Sequence, residues 1–343
     1  MKKSLIALAA LAAVTAASAQ STVTIGGGLA LFVGNSTHNG TESGLQVGRQ
    51  TGNIAFKGTE DLGGGLKAHF ELQQNIGGAA DTRVAGSAAT TLGNRGVYVA
   101  IDGGFGSVLI GRAASAIRAN FGAADVSRLG VPLGLSEASA AYSGNGTIPA
   151  VASGDAAARI IYGDQYSNMV AYSTPKISGF SASVGVAPVE GDTATTKDTV
   201  SYGVNYANGP LDVRVNMTDV AASSTDVGFK WTTLTASYDV GFAKLGFAHQ
   251  TTKVDSGVNP GAGTTVIANV PVGPGSIGLG YGRKAASAST NLRAGGDDAK
   301  QMFVGYRYDL SKRTSVQAVY NKLSRTVAKA TAKETFLLVT HSF

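Results

Sequence analysis

The sequence predicts an all-β fold, a 16-stranded antiparallel transmembrane β-barrel. Three observations support this prediction: short segments alternate apolar and polar residues, tight turns alternate with long polar links, and no long apolar run follows residue 19. Residues 66–73 show the alternation most clearly, because their apolar side chains share one face and their charged or amide side chains share the other. The same pattern returns at residues 200–206, 211–217 and 301–310.

The predicted strands follow one another along the whole chain after its first twenty residues. They lie near residues 22–33, 45–58, 65–75, 93–102, 105–113, 157–163, 166–175, 179–187, 198–207, 210–219, 228–239, 241–253, 264–271, 275–285, 299–309 and 313–323, and residues 333–343 close the chain. We predict that the two pieces at 157–163 and 166–175 form one bulged strand. The total is then sixteen, an even number as in single-chain bacterial barrels.

The connections are predicted to alternate in length. Tight turns are expected at residues 102–106, 175–179, 207–210, 239–242 and 309–312, and longer polar links at 34–44, 75–92, 189–196, 220–227, 254–263, 286–298 and 324–332. Short turns on one rim and long loops on the other are typical of an up-and-down membrane barrel. The closed sheet satisfies every backbone hydrogen bond in lipid, and a lumen of this width holds water beside polar inner side chains.

The first residues predict a secretory signal. Two lysines at the start precede an apolar run at residues 5–14 and a small-residue motif that ends at Ala19. The apolar run is too short to span a bilayer as a helix. We therefore expect cleavage between Ala19 and Gln20, which removes residues 1–19 and leaves residues 20–343 as one barrel domain.

Charge and composition exclude several classes of partner. The signal removes two lysines, so the basic count falls from 28 to 26 against 22 acidic residues, a net charge of +4. This excess is mild and scattered, so no nucleic-acid partner is expected. The chain has no cysteine, which excludes a disulfide framework and thiolate chemistry.

The connection between residues 113 and 156 is far longer than the others. Loops of this length are usually functional or disordered. In one interpretation it folds into the barrel, narrows the lumen and presents Arg118, Asp125, Arg128 and Glu137 to solutes. In the other it is an exposed loop whose charges are solvated. The residues alone leave both interpretations open.

The sequence does not predict an enzyme or a cofactor. Its four histidines, His38, His69, His249 and His341, lack metal-ligand spacing. The glycine-rich stretch at residues 278–282 lies within a strand pattern and has no following helix, so it does not predict a phosphate-binding loop. No serine lies on a strand-to-helix elbow.

Four segments and the last residue resemble the general, trimeric porins of Gram-negative bacteria, and particularly those of the beta-proteobacterial type. Residues 56–68 (FKGTEDLGGGLKA) resemble the turn between the second and third strands of that family, and residues 105–112 (FGSVLIGR) its strand before the long third loop. Residues 172–180 and 305–314 resemble two later turns. Phe343 is a C-terminal aromatic residue of the kind that serves as an assembly signal.

The resemblance implies a homotrimer of sixteen-stranded barrels in the outer membrane, each with its third loop folded into the lumen. It implies a passive diffusion channel for ions and small hydrophilic solutes, with outer-membrane lipids and lipopolysaccharide as further partners. The alternative is a substrate-selective channel for small organic anions or sugars, for which an aromatic content of 7% is low. A barrel that binds partners through its surface loops is a third class.

The resemblance also implies a pore constriction in which basic residues on the wall face acids on the third loop. This chain has Asn53 where the family usually has an arginine, and Arg49 lies four residues earlier, predicted on the same face. Arg95 matches a family position. We expect a mild anion preference from a constriction with nine charged residues: Arg49, Lys57, Arg95, Arg112, Arg118, Arg128 and Arg159 as the positive side, and Asp125 and Glu137 as the negative side.

Overall fold

Sixteen antiparallel strands form a closed barrel in the part of the chain that the computed structural model describes, namely residues 22–76, 93–114, 124, 126–129, 165–188, 197–220, 228–255, 262–285, 298–325 and 330–343. The strands are β1 (Thr22–His38), β2 (Thr41–Gly63), β3 (Leu66–Asn75), β4 (Gly96–Gly103), β5 (Gly106–Ala114), β6 (Gln165–Ser173), β7 (Phe180–Ala187), β8 (Thr199–Asn208), β9 (Leu211–Val220), β10 (Phe229–Asp239), β11 (Lys244–Val254), β12 (Ala262–Val272), β13 (Gly275–Lys284), β14 (Ala299–Asp309), β15 (Thr314–Arg325) and β16 (Ala330–Ser342). No helix in these described ranges is long and apolar enough to cross a membrane.

Each strand pairs with its neighbours in sequence, and β1 closes the barrel by pairing with β16. At this seam the backbones of Gly27 and Phe343 exchange two hydrogen bonds, of 3.2 and 3.1 Å. Closure leaves no sheet edge, so the strands satisfy their backbone groups within the sheet. The predicted fold class and number of strands are confirmed.

The two faces of the barrel differ in chemistry, as β13 shows. Ile277, Leu279 and Tyr281 point outward, where Leu279 and Tyr281 are 43% and 47% exposed. Ser276 and Gly278, on the other face, are buried. Since lipid covers the outer surface of a membrane barrel, the exposed apolar side chains are on the face that lipid requires. The inner face carries mainly small, amide, hydroxyl and charged side chains.

The two rims are built from connections of different length. The connections β2–β3, β4–β5, β8–β9 and β12–β13 on one rim are only a few residues long, and we call this the short-turn rim. The other rim, the long-loop rim, carries the connection of fifty residues between Ala114 and Gln165. Both chain ends of the barrel, at Thr22 and Phe343, lie at the short-turn rim.

The expectation of a long polar link at residues 34–44 is wrong. β1 continues to His38 and β2 begins at Thr41, and only Asn39 and Gly40 form the turn. Both have positive φ, 51° and 87°, as the two central residues of a type I′ hairpin turn require. The polar composition of this segment suggested a loop, but cross-strand pairing stabilises it as a strand ladder. The predicted strand piece at 157–163 lies outside the described residues.

Candidate functional site

A segment of the long β5–β6 connection lies inside the barrel. Its described residues are Ala124 and 126–129, and we call them the inner segment. Asn269 of β12 donates a hydrogen bond from Nδ2 to the carbonyl oxygen of Ser127 at 2.9 Å, and Ser127 is fully buried. Because Asn269 is on the inner face of β12, the chain has crossed from β5 to the wall formed by β11–β14.

Inner-face glycines make room for this segment. A methyl group at Gly278 would lie 2.5 Å from the carbonyl oxygen of Ser127, and one at Gly246 would overlap the carbonyl oxygen of Ala124. Only glycine permits so close an approach of one backbone to another. The inner segment therefore covers Gly278, and this inner-face glycine does not border open space.

Apolar side chains of the inner segment pack against apolar side chains on the inner face of the barrel. Val126 and Leu129 belong to one buried cluster with Ile267, Phe303 and Val319 of the barrel wall. This packing explains why apolar side chains occur on an otherwise polar inner face. The wall side chains are buried from water only when the inner segment covers them. The segment is therefore packed against the inner face of the barrel wall.

Charged groups fasten the same segment near the short-turn rim. Arg128 donates from Nη2 to Oδ2 of Asp309 at 2.8 Å, and Arg307 donates from Nε to Oδ1 of Asp309 at 2.7 Å. Arg307 also donates from Nη1 to the carbonyl oxygen of Arg128 at 3.1 Å. We call Arg128, Arg307 and Asp309 the latch. It places two guanidinium groups around one carboxylate.

The opposite wall carries a second charged network. Since β3 and β11 are eight places apart among sixteen strands, they lie on opposite sides of the lumen. On the inner face of β2–β4, Lys57 lies 3.3 Å from Glu71, and the hydroxyl of Tyr98 donates to Glu71 at 2.9 Å. His69 Nδ1 lies 2.7 Å from Oδ2 of Asp102. The predicted inner position of Lys57 agrees with this geometry.

Two further predicted residues, Arg95 and Arg112, lie close together where β3 meets β4. Arg95 donates from Nη1 to Oδ1 of Asn75 at 3.1 Å. Arg112 donates from Nε to the carbonyl oxygen of Asn94 at 3.2 Å and from Nη1 to Oγ of Ser167 at 2.7 Å. In register Arg112 pairs with Val97, which is 40% exposed on the outer face, so the expectation that Arg112 lines the constriction is wrong.

The expectation that Arg49 shares a face with Asn53 is corrected by a β-bulge. Asn53 pairs with Gly28 and faces the lumen, but Arg49 pairs with Leu31, which is 49% exposed on the outer face. The register shifts between these pairs because Gln50 has no cross-strand partner. One extra residue in a strand reverses the face of every residue beyond it.

Four predicted charged residues, Arg118, Asp125, Glu137 and Arg159, lie outside the described residues, as do Ala19 and Gln20 at the predicted cleavage site. Sequence reasoning missed Arg307, Asp309 and Asn269 as contacts of the inner segment. The first two lie on the polar face of the alternating stretch 301–310, so their inward orientation was predictable. Their partner in a connection 180 residues away along the chain was not.

A closed barrel with an apolar outer face, a polar inner face and a chain segment held inside it defines a membrane-spanning channel protein. Comparison with known proteins agrees with this class. The chain belongs to the Gram-negative porin family, whose model matches residues 7–326. It is accordingly a protein of the outer membrane.

Individual relatives span almost the whole chain. Outer membrane porin protein 32 of Delftia acidovorans is 33% identical, over 94% of this chain and 89% of that protein. Major outer membrane protein P.IB of Neisseria meningitidis serogroup B is 29% identical, over 92% of this chain and 91% of that protein.

Solved structures show the same fold. The anion-selective porin from Comamonas acidovorans has a TM-score of 0.74 and 25% identity, and the match covers 94% of this chain and all of that one. The trimer form of OmpT from Vibrio cholerae has a TM-score of 0.64 at 13% identity, and the match covers 94% of this chain and 99% of that one. This second likeness shows the fold alone.

Proposed function

We propose that the protein is a general diffusion channel with a mild preference for anions. The observation that carries the proposal is the latch, in which Arg128 and Arg307 share the single carboxylate of Asp309. Among the described residues, the latch therefore carries one more positive than negative charge. A solved relative with 25% identity is described as anion-selective, which supports the same sign.

The physical basis is the effect of fixed charge on ions in a narrow aqueous passage. One unit charge about 10 Å from a permeating ion in water changes its energy by about 0.4 kcal/mol, close to a factor of two in occupancy. The effect has opposite sign for chloride and potassium, so their ratio changes by roughly fourfold. Low-dielectric walls strengthen it further.

Reversal potentials across a planar bilayer with a potassium chloride gradient test this proposal. We expect a chloride-to-potassium permeability ratio above one for the full protein. Arg128→Gln should lower the ratio by roughly two- to fourfold, whereas Arg313→Gln, in an exposed turn at the short-turn rim, should leave it unchanged. A preference for potassium in the unmodified protein would overturn the proposal.

The remaining expectations extend this proposal. The mature chain is residues 20–343 and assembles as a homotrimer, with outer-membrane lipids and lipopolysaccharide as its surroundings. Arg118 and Arg159 add to the positive side of the constriction, and Asp125 and Glu137 form its negative side. A trimer predicts current steps in groups of three when the purified protein inserts into a bilayer. Single, independent steps would contradict it.

A further inference from the structure

A hollow on the inner face of β5–β8 is a feature of the lumen that the proposed channel function does not use. It has a volume of about 280 Å³ and lies near the short-turn rim. We call it the inner hollow. Its volume is close to the lower end of the range of roughly 300–1,000 Å³ that is typical of ligand sites, so it suits a small solute. Its lining includes Ser107, Leu109, Ala171, Ser173, Ser183 and Gly185.

Three serines form a row across the inner hollow. Ser107 of β5 is directly opposite Ser173 of β6, and Ser173 is directly opposite Ser183 of β7. Side chains directly opposite each other on neighbouring strands have Cβ atoms about 5 Å apart, so one small solute can contact two of them at once. The row faces the lumen, because Ser183 alternates with Val184, which is 36% exposed on the outer face. Ser181 lies two residues before Ser183 and extends the row toward the short-turn rim.

The hydroxyl groups of this row are available to a solute. Within the part of the chain that the structure describes, the side chains of Ser107, Ser173, Ser181 and Ser183 form no hydrogen bond, and none of the four is fully buried. Asn205, directly opposite Ser181, adds a side-chain oxygen that also has no hydrogen-bond partner there. A serine hydroxyl both donates and accepts hydrogen bonds, as the alcohol groups of a solute do.

An apolar row lies beside the serine row. Leu109 is directly opposite Ala171, and Ala171 is directly opposite Gly185. Each of these residues is two positions along its strand from a serine, so the two rows are roughly 7 Å apart. The inner hollow therefore offers hydroxyl groups on one side and an apolar surface on the other. This combination fits a cyclic sugar or polyol, whose ring has hydroxyl groups at its edge and C–H bonds on its faces.

The charges around the inner hollow favour an uncharged solute. None of the described residues that line the hollow is charged. The charged groups on the two flanking strands are already paired: Asp102 of β4 lies 2.7 Å from Nδ1 of His69, and Arg214 of β9 donates to Asp212 at 2.7 Å. A solute anion therefore meets no unpaired cation at this part of the described wall, in contrast to the latch, where two cations share one carboxylate.

We propose that the inner hollow binds an uncharged solute with several hydroxyl groups, of about the size of a monosaccharide. The serines exchange hydrogen bonds with its hydroxyl groups, and the apolar row covers one face of its ring. Each hydrogen bond to the solute replaces one to water, so binding is weak and the solute leaves again. The inference goes beyond the proposed diffusion channel and rests on it, since the inner hollow is reached through the lumen. It adds a saturable site to a passage otherwise governed by size and charge.

Ion current through the purified full-length protein in a planar bilayer tests the site, with D-glucose as the probe. A sugar that only obstructs the lumen lowers the current in proportion to its concentration, whereas a bound sugar lowers it along a saturating curve. We expect saturation for the wild type. Ser181→Ala combined with Ser183→Ala removes two hydroxyl groups and should raise the half-saturating concentration roughly 5- to 30-fold. The matched control, Thr22→Val with Thr59→Val, removes two hydroxyl groups from the inner face of β1–β2 and should not change it.

The inference fails if the current of the wild type falls linearly with glucose concentration, or if the serine variant and the wild type saturate alike. It also fails if triethylene glycol, a solute of similar size with fewer hydroxyl groups, saturates as glucose does and responds equally to the serine variant. Reversal potentials of the same channels keep this test apart from the channel proposal. Because glucose is uncharged, its saturation does not depend on the sign of the ion preference, and a preference for potassium would contradict only the proposed anion selectivity.

Discussion

Asp309→Asn offers a direct test of the latch. The substitution keeps the shape of the side chain but removes the charge that Arg128 and Arg307 share. A hydrogen bond to a charged group contributes about 1.5–3 kcal/mol, and one between neutral partners about 0.5–1.5 kcal/mol. Arg128 is about half exposed, so the expected loss is smaller, about 0.5–1 kcal/mol. The detached state of the inner segment should therefore become roughly two- to fivefold more populated.

Single-channel recording measures this change. We expect the frequency of brief current fluctuations to rise by the same two- to fivefold, because a detached inner segment moves within the lumen. Asp212→Asn is the matched control: Asp212 is on the inner face, accepts two hydrogen bonds of 2.7 Å from Arg214, and does not contact the inner segment in the described structure. If both variants fluctuate equally, the latch does not hold the segment and the reasoning fails.

Two further predictions concern the opposite wall and the seam. Glu71→Gln removes the carboxylate that faces Lys57, so the preference for chloride in reversal-potential measurements should rise about twofold. The control, Glu60→Gln at the exposed short-turn rim, should have no effect. Equal responses of the two variants would argue against a role for this wall in ion selectivity. Deletion of Phe343 removes both backbone hydrogen bonds to Gly27, so refolding into a heat-resistant barrel, followed by gel mobility without boiling, should be slower. Refolding at the normal rate would show that the seam closes without this residue.

Most of the fold was predictable because the alternation of apolar and polar residues in a strand can be read from a short stretch of sequence. Each stretch of alternating residues reports its own two faces, and the turns between them have recognisable chemistry. The error at residues 34–44 arose because the composition of the segment and its turn signal indicated different structures. Glycine, asparagine and serine suggested a loop, whereas the Asn39–Gly40 pair alone determined the position of the turn.

The candidate site was predictable only in part, because its contacts are not local. Lys57, which was expected in the constriction from the family resemblance, was found on the inner face. Arg49 was not, since a single unpaired residue, Gln50, shifts the register and no composition signal marks it. The contact of Arg128 with Asp309 depends on a chain crossing that alternation does not encode.

The pairing of β1 with β16 determines when the molecule can be complete. The first strand of the barrel has no permanent neighbour on one side until the last strand has arrived, so a partly inserted chain exposes two unpaired strand edges. Such edges recruit other chains and favour aggregation. Folding of this protein is therefore complete only when β1 and β16 meet, and the two open edges need protection until then.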